Sequence, residues 1–279
     1  MLLELAVGDA YGAGFEYVDR DAIRSANDLS HFVKHPRHHI VPGCYTDDTQ
    51  MSIAIAEVLI AGTPWTPEIL ANAFVAAFRR DPREGYAARF HAFLSRVEDG
   101  RHFLAEIDPT SDKSGGAMRA APLGVLPTIP DVIEQTTVQA AITHNTLDGI
   151  AAAVAAALMT HYCLYDLGKK RDLGRFLEGN VAGSWSMPWQ GKVKSKGWMS
   201  VRAAVTALTE SATMSALLRR CIDFSGDVDT VAAIALAAGS CSREVVQDLP
   251  ENLLFQLEDG AYGRQYLLAL DAQLLALVR

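Results

Sequence analysis

Apolar residues recur at three- and four-residue spacing through most of the chain, the period of a helix with one buried face. The runs Met51–Ala61, Pro67–Phe78, Ala87–Val97, Val138–Thr143, Ile150–Leu164, Met199–Thr209, Met214–Cys221, Thr230–Ala238 and Tyr262–Leu277 all carry it. Alanine, leucine, methionine and glutamate fill them, residues that lose little freedom on entering a helix. The period-two alternation of a half-buried strand is nearly absent. An all-α fold of many short helices is expected. Loops are expected at His31–Gly43, Asp81–Tyr86, Asp108–Gly116, Gly183–Gly197 and Ser240–Pro250, where glycine, proline and polar residues cluster. No shift in composition divides the 279 residues, so a single domain over 1–279 is expected.

Two of the predicted helices open in the same way. YTDDTQMS (Tyr45–Ser52) and GDVDT (Gly226–Thr230) each place carboxylates and threonines directly before a strongly apolar run. Either cluster alone reads as an N-cap, because Asp and Thr oxygens accept hydrogen bonds from the orphan N–H groups of a first turn. A helix start needs one such oxygen. Together the clusters hold Asp47, Asp48, Asp227 and Asp229, with Thr46 and Thr230 beside them. If they converge, each carboxylate pair about 4 Å apart repels by roughly 4 kcal/mol at an effective dielectric of about 20. A cation or bound protons would then be needed. Oxygen donors without histidine or thiolate select Mg²⁺, Mn²⁺ or Ca²⁺ over zinc or copper, and so many donors suit two ions sharing a carboxylate.

The charge and cysteine content narrow the partners. A net charge of −8 gives no electrostatic footprint for gripping a nucleic-acid backbone. Cys44, Cys163, Cys221 and Cys241 show no C-x-x-C spacing and read as free thiols of a reducing compartment. MLLELAVGDAYG lacks the basic start of a secretory signal, and the most apolar run, Ile150–Met159, is too short to span a bilayer. A cytoplasmic protein with no membrane partner is expected.

Other stretches offer chemistry with a plainer reading beside it. SGGAMRAAPLG (Ser114–Gly124) reads as a turn or as a phosphate cradle, without the spacing of a Walker loop. In GDAYGAGFEY the order of Gly8, Gly12 and Gly14 is wrong for a dinucleotide fingerprint, and close helix packing explains Gly8 and Gly12 better. Glu16 is either a surface acid or a group held beside a site. His144, in THNTLDG, reads as a cap or loop histidine, or as one facing substrate. HPRHH (His35–His39) reads as exposed loop histidines, and Trp198 as core or stacking platform. No G-x-S-x-G elbow and no Cys–His pair support a nucleophilic triad.

Taken in order, GDAYGAGFEY, YTDDTQMS, SGGAMRAAPLG, THNTLDG and GDVDTVAAIALAAG resemble the ADP-ribosylglycohydrolase family over essentially the whole chain. The resemblance implies a compact orthogonal multi-helix bundle with two Mg²⁺ or Mn²⁺ ions in a central cleft. Thr46, Asp47 and Asp48 would supply one group of ligands, and Asp227, Asp229 and Thr230 the other. Glu16 matches the family's mobile acid, and Glu16, Asp47 and Asp48 are the catalytic candidates. Ser114, Gly115, Gly116 and Met118 fall on the diphosphate loop, His144 near the ribose, and Trp198 where an aromatic residue lines the substrate cleft. The implied activity is hydrolysis at the anomeric carbon of ADP-ribose carried by a protein or small-molecule acceptor. A non-catalytic ADP-ribose-binding or immunity-type protein is the alternative. The chain departs from the family pattern at Val228, at Ala232 and Ala233, expected to let ligand approach the helix, and at Ala87.

Overall fold

A helix that is apolar all round belongs in the middle of a protein, and two helices here meet that description. The computed structural model describes residues 1–278. Its helices are α1 Leu2–Ala13, α2 Arg20–Ala26, α3 Asp47–Ala61, α4 Pro67–Arg80, α5 Ala88–Arg96, α6 Gly100–Glu106, α7 Gly115–Met118, α8 Ile129–His144, α9 Leu147–Leu164, α10 Leu173–Asn180, α11 Gly197–Glu210, α12 Met214–Asp223, α13 Val228–Ser240, α14 Glu251–Gln256 and α15 Arg264–Leu275. Two short 3₁₀ turns, Ala121–Val125 and Lys170–Asp172, and a few isolated β-bridges accompany them, with no β-strand among the described residues. The all-α expectation is met.

α13 is buried at nearly every position, and α1 is buried continuously from Leu5 to Ala13. The two lie backbone against backbone. A Cβ on Gly8 would stand 2.7 Å from the Ala232 carbonyl oxygen, and one on Gly12 would overlap the Cα of Asp229. Both glycines therefore serve close helix packing, as the sequence suggests. The same contact corrects the reading of Ala232 and Ala233: the backbone there is covered by α1, not left open to a ligand.

α3 packs on α1 and α13, α4 on α3, and α9 on α8 and α11. α9 is longer than its most apolar run and, by length and composition alone, is able to cross a bilayer. Here 72% of it is buried inside the protein, so it acts as a core helix. The run Val138–Thr143 proves to be the end of the sixteen-residue α8. The Thr128 hydroxyl accepts from the Asp131 N–H and Pro130 sits in the first turn, a strong start. The β-branched Thr136 and Thr137 break its apolar period. α1, α2, α6, α7, α10 and α14 are short or carry glycine, and periodicity does not reveal them.

Candidate active site

The site is built around one buried acid of α1. Asp9 accepts four hydrogen bonds from the opening of α3: Thr46 N–H (2.9 Å), Thr46 Oγ1 (2.7 Å), Thr49 N–H (3.0 Å) and Thr49 Oγ1 (2.6 Å). Thr46 is the N-cap of α3, yet its side chain makes no capping bond. Asp9 caps the helix from another helix and leaves Asp47 and Asp48 without that duty. The cap reading of TDDT is corrected accordingly. In α13, too, the N-cap Asp227 makes no side-chain capping bond.

Three positions after Asp9, on the same face of α1, Gly12 rests on the backbone of Asp229. One helix thus joins both acidic mouths. One carboxylate oxygen from each of Glu16, Asp227 and Asp229 lies within 4.8 Å of the other two. Asp48 is buried with Oδ2 unpartnered, and Oδ1 of Asp229 is likewise buried and unpartnered.

The electrostatics report the crowding. Burial, then the Asp9, Asp229 and Asp47 charges, hold the Asp48 carboxyl well above its ordinary value. Burial and Asp9 do the same to Asp47, and burial with Glu16 and Asp227 to Asp229. Asp227 rises to about 6 through burial and Glu16, against hydrogen bonds from Ser114, Ser200 and Thr230. Burial also pushes Asp9 up, against its four hydrogen bonds. Buried, mutually repelling carboxylates with orphaned oxygens are a donor set that fits hard divalent cations.

A sequence profile of the ADP-ribosylglycohydrolase family matches residues 1–279. The chain belongs to the ADP-ribosylglycohydrolase family. It is 24% identical to the ADP-ribosylarginine hydrolase Tri1 of Pseudomonas putida over 84% of this chain and 67% of that protein. It is 27% identical to the ADP-ribosyl-[dinitrogen reductase] glycohydrolase of Rhodospirillum rubrum over 92% of this chain and 88% of that one. A solved structure titled "ADP-ribosylglycohydrolase-related protein complex" superposes with a TM-score of 0.77 at 22% identity, covering 100% of this chain and 96% of its own. The fold is that of the ADP-ribosylglycohydrolases, and membership supports hydrolytic removal of ADP-ribose from an acceptor.

For an ADP-ribosylglycohydrolase, the remaining expected residues divide into those near the acids and those apart. Thr230 Oγ1 donates to Asp227 Oδ1 at 3.5 Å, and the Ser114 side chain also bonds Asp227. Gly115 and Gly116 open the single turn α7, where a Cβ would press the His144 ring at 3.0 and 3.2 Å. Close approach of that ring explains both glycines. His144 ends α8 as a buried residue, correcting its loop reading; its Nδ1 meets Thr143 Oγ1 at 2.7 Å. Burial, then Arg119, lower its pKa to about 3. The Met118 side chain is core, and its carbonyl accepts from Ser52 Oγ at 3.3 Å.

On α11 Trp198 stands two positions, about 200° of helix rotation, from Ser200, which donates to Asp227 at 3.1 Å. Trp198 lines a hollow of about 410 Å³ with Trp185, Asp148 and Arg202.

Sequence reasoning passed over several site residues. Asp9 carried one signal, its place between Gly8 and Gly12. Gly85, at φ +109°, lies so close to Asp47 Oδ1 that a side chain there would collide with it. Arg119 is almost fully buried and holds Gln139 and Thr143 together while stacking on Phe74 at 4.5 Å. His35 is 5% exposed and bonded to Glu16, so the reading of HPRHH as exposed loop histidines is corrected for that residue.

Proposed function

We propose that this protein is a metal-dependent hydrolase that cleaves the glycosidic bond at the anomeric carbon of ADP-ribose attached to an acceptor. The observation that carries the reading is the joining of two acidic helix mouths by α1, with Asp48 Oδ2 and Asp229 Oδ1 buried and unpartnered. Neither oxygen has a hydrogen-bond partner in the described fold, and a buried carboxylate is costly without a proton or a cation.

Two Mg²⁺ or Mn²⁺ ions would be held by Thr46, Asp47 and Asp48 from α3 and by Asp227, Asp229 and Thr230 from α13. When bound, such ions supply charge neutralisation and Lewis acidity toward sugar hydroxyls and water. The Thr46 hydroxyl spends its proton on Asp9 and keeps its lone pairs for a cation. Glu16 retains 19% side-chain exposure at the edge of the cluster and is placed to exchange a proton with water and the leaving group. The remaining carboxylate charge stabilises the cationic character that a sugar ring acquires as its glycosidic bond breaks. Ser114–Gly116, which abuts Asp227, is assigned to the diphosphate, and His144 behind it to the ribose.

The names of its relatives favour an arginine-linked or other protein-linked ADP-ribose. The test is release of free ADP-ribose from ADP-ribosylated arginine and serine peptides, with and without EDTA. Release from at least one peptide that stops on chelation is expected. ADP-ribose binding without turnover would replace the reading with that of a binding protein, and release unaffected by chelation would remove the metals from it.

A further inference from the structure

Glu16 is the acid of the cluster that stands outside the two helix mouths. After α1 the chain turns sharply, with Phe15 N–H on the Gly12 carbonyl and Tyr17 N–H on that of Gly226, the residue before Asp227. This fixes the Glu16 backbone beside α13. Its carboxylate is held separately. Glu16 Oε2 lies 2.9 Å from His35 Nε2 and 3.5 Å from an Arg37 guanidinium nitrogen.

The His35 ring is itself built into place. Its Nδ1 accepts two backbone N–H groups, from Arg37 at 3.0 Å and from His38 at 2.9 Å. Two donors converging on Nδ1 require a lone pair there, so the ring proton is on Nε2 and is donated to Glu16. The same tautomer removes His35 as a metal ligand, although Glu16, His35 and His38 lie close enough together for an ion. Beyond His35 the loop continues to the far side of the site. The His38 ring meets that of His35 edge-on at 4.8 Å, and His38 Nδ1 lies 3.0 Å from Glu84 Oε2. Glu84 precedes Gly85, which covers Asp47. The segment therefore ties Glu16, on the Asp227–Asp229 side, to the loop on the Asp47 side.

We propose that His35 is a positioning residue: its Nε2–H, fixed by two backbone donors at Nδ1, sets the Glu16 carboxylate against Asp227 and Asp229. Its effect on hydrolysis rests on the proposed function, whereas its effect on the acid cluster does not. A hydrogen bond to a charged group is worth about ten- to a hundredfold in an equilibrium, and that is the scale on which Glu16 placement depends on His35.

The test uses the full chain and the variants His35→Ala, His35→Gln, Glu16→Gln and His35→Ala with Glu16→Gln. Three readouts apply: ¹⁵N-histidine NMR of the wild type, Mn²⁺ affinity by calorimetry, and ADP-ribose release split into kcat and KM. NMR is expected to show His35 protonated at Nε2. His35→Ala is expected to weaken Mn²⁺ binding and lower kcat by about tenfold with little change in KM. His35→Gln, whose amide N–H reaches Glu16, is expected to recover most of both, and His35→Ala to add nothing once Glu16 is Gln. An Nδ1–H ring, a full additional loss in the Glu16→Gln background, or a Gln variant as impaired as Ala would overturn the proposal. If wild type releases no ADP-ribose, the hydrolase reading fails while NMR and Mn²⁺ affinity still decide the role of His35. Should His35→Ala not fold, the wild-type tautomer and the Gln variant decide it.

Discussion

The hydroxyl of Thr49 donates to Asp9 at 2.6 Å, joining helices whose contacting residues are forty positions apart in the chain. With the other three bonds to Asp9 it locks the opening of α3 to α1, and α1 locks to α13 through Gly12. The site is thus the meeting of three helices at one short stretch of α1.

Asp9→Ala leaves two N–H groups and two hydroxyls without their acceptor. We expect a loss of about 2–4 kcal/mol of stability, read as a Tm drop of roughly 5–10 °C. Asp9→Asn keeps one acceptor oxygen and should lose less stability, yet weaken Mn²⁺ binding by about 10–100-fold because the α3 acids are no longer aimed. Unchanged Mn²⁺ affinity in a folded Asn variant would refute the orienting role.

Asp48→Asn should separate stability from activity. It removes a charge whose Oδ2 has no partner and which burial and four other acids disfavour. The metal-free protein should gain about 1 kcal/mol, a Tm rise of about 2–4 °C, while hydrolysis falls by about a hundredfold or more. A destabilised metal-free variant would mean that the cluster is not under electrostatic strain.

The pH dependence of the metal-free protein follows from Asp227, raised from 3.8 to about 6 in the fold. Between those values the folded chain binds more protons than the unfolded one, so stability falls as pH rises through the window. Asp9, Asp47, Asp48 and Asp229 shift in the same direction and add to it. In EDTA, the urea midpoint should therefore be lower at pH 7.5 than at pH 5. Mn²⁺ should flatten the slope, and so should Asp227→Asn. His144, lowered to about 3 by burial, works in the opposite sense over part of this range. The Asp227 contribution is therefore read as the difference in slope between wild type and Asp227→Asn, and no difference would contradict its assigned shift.

Gly85→Ala should impair the site with little general unfolding. The backbone there is left-handed at φ +109°, and the added methyl would run into Asp47 Oδ1. The local cost is about 1–3 kcal/mol, and displacement of Asp47 should lower Mn²⁺ affinity. Circular dichroism and calorimetry on one sample check both halves.

What the sequence carried was local. The 3.6-residue period placed most of the long helices, and the paired designs TDDT and GDVDT named the acids, because a run of apolar residues fixes a helix and its start fixes where polar side chains cluster. α1 and Asp9 were hidden, since glycines erase the apolar period and a lone aspartate inside a helix has no local marker. His35 was misjudged for a related reason: a Pro-flanked histidine tract looks exposed until another segment, here Glu16, arrives to bury it. Whether the two helix mouths faced each other was a tertiary matter. It depended on Gly8 and Gly12 letting α1 lie against α13 while Asp9 turned toward α3. Close approach and the capping of one helix by another are contacts between distant segments, and only the packed chain brings those segments together.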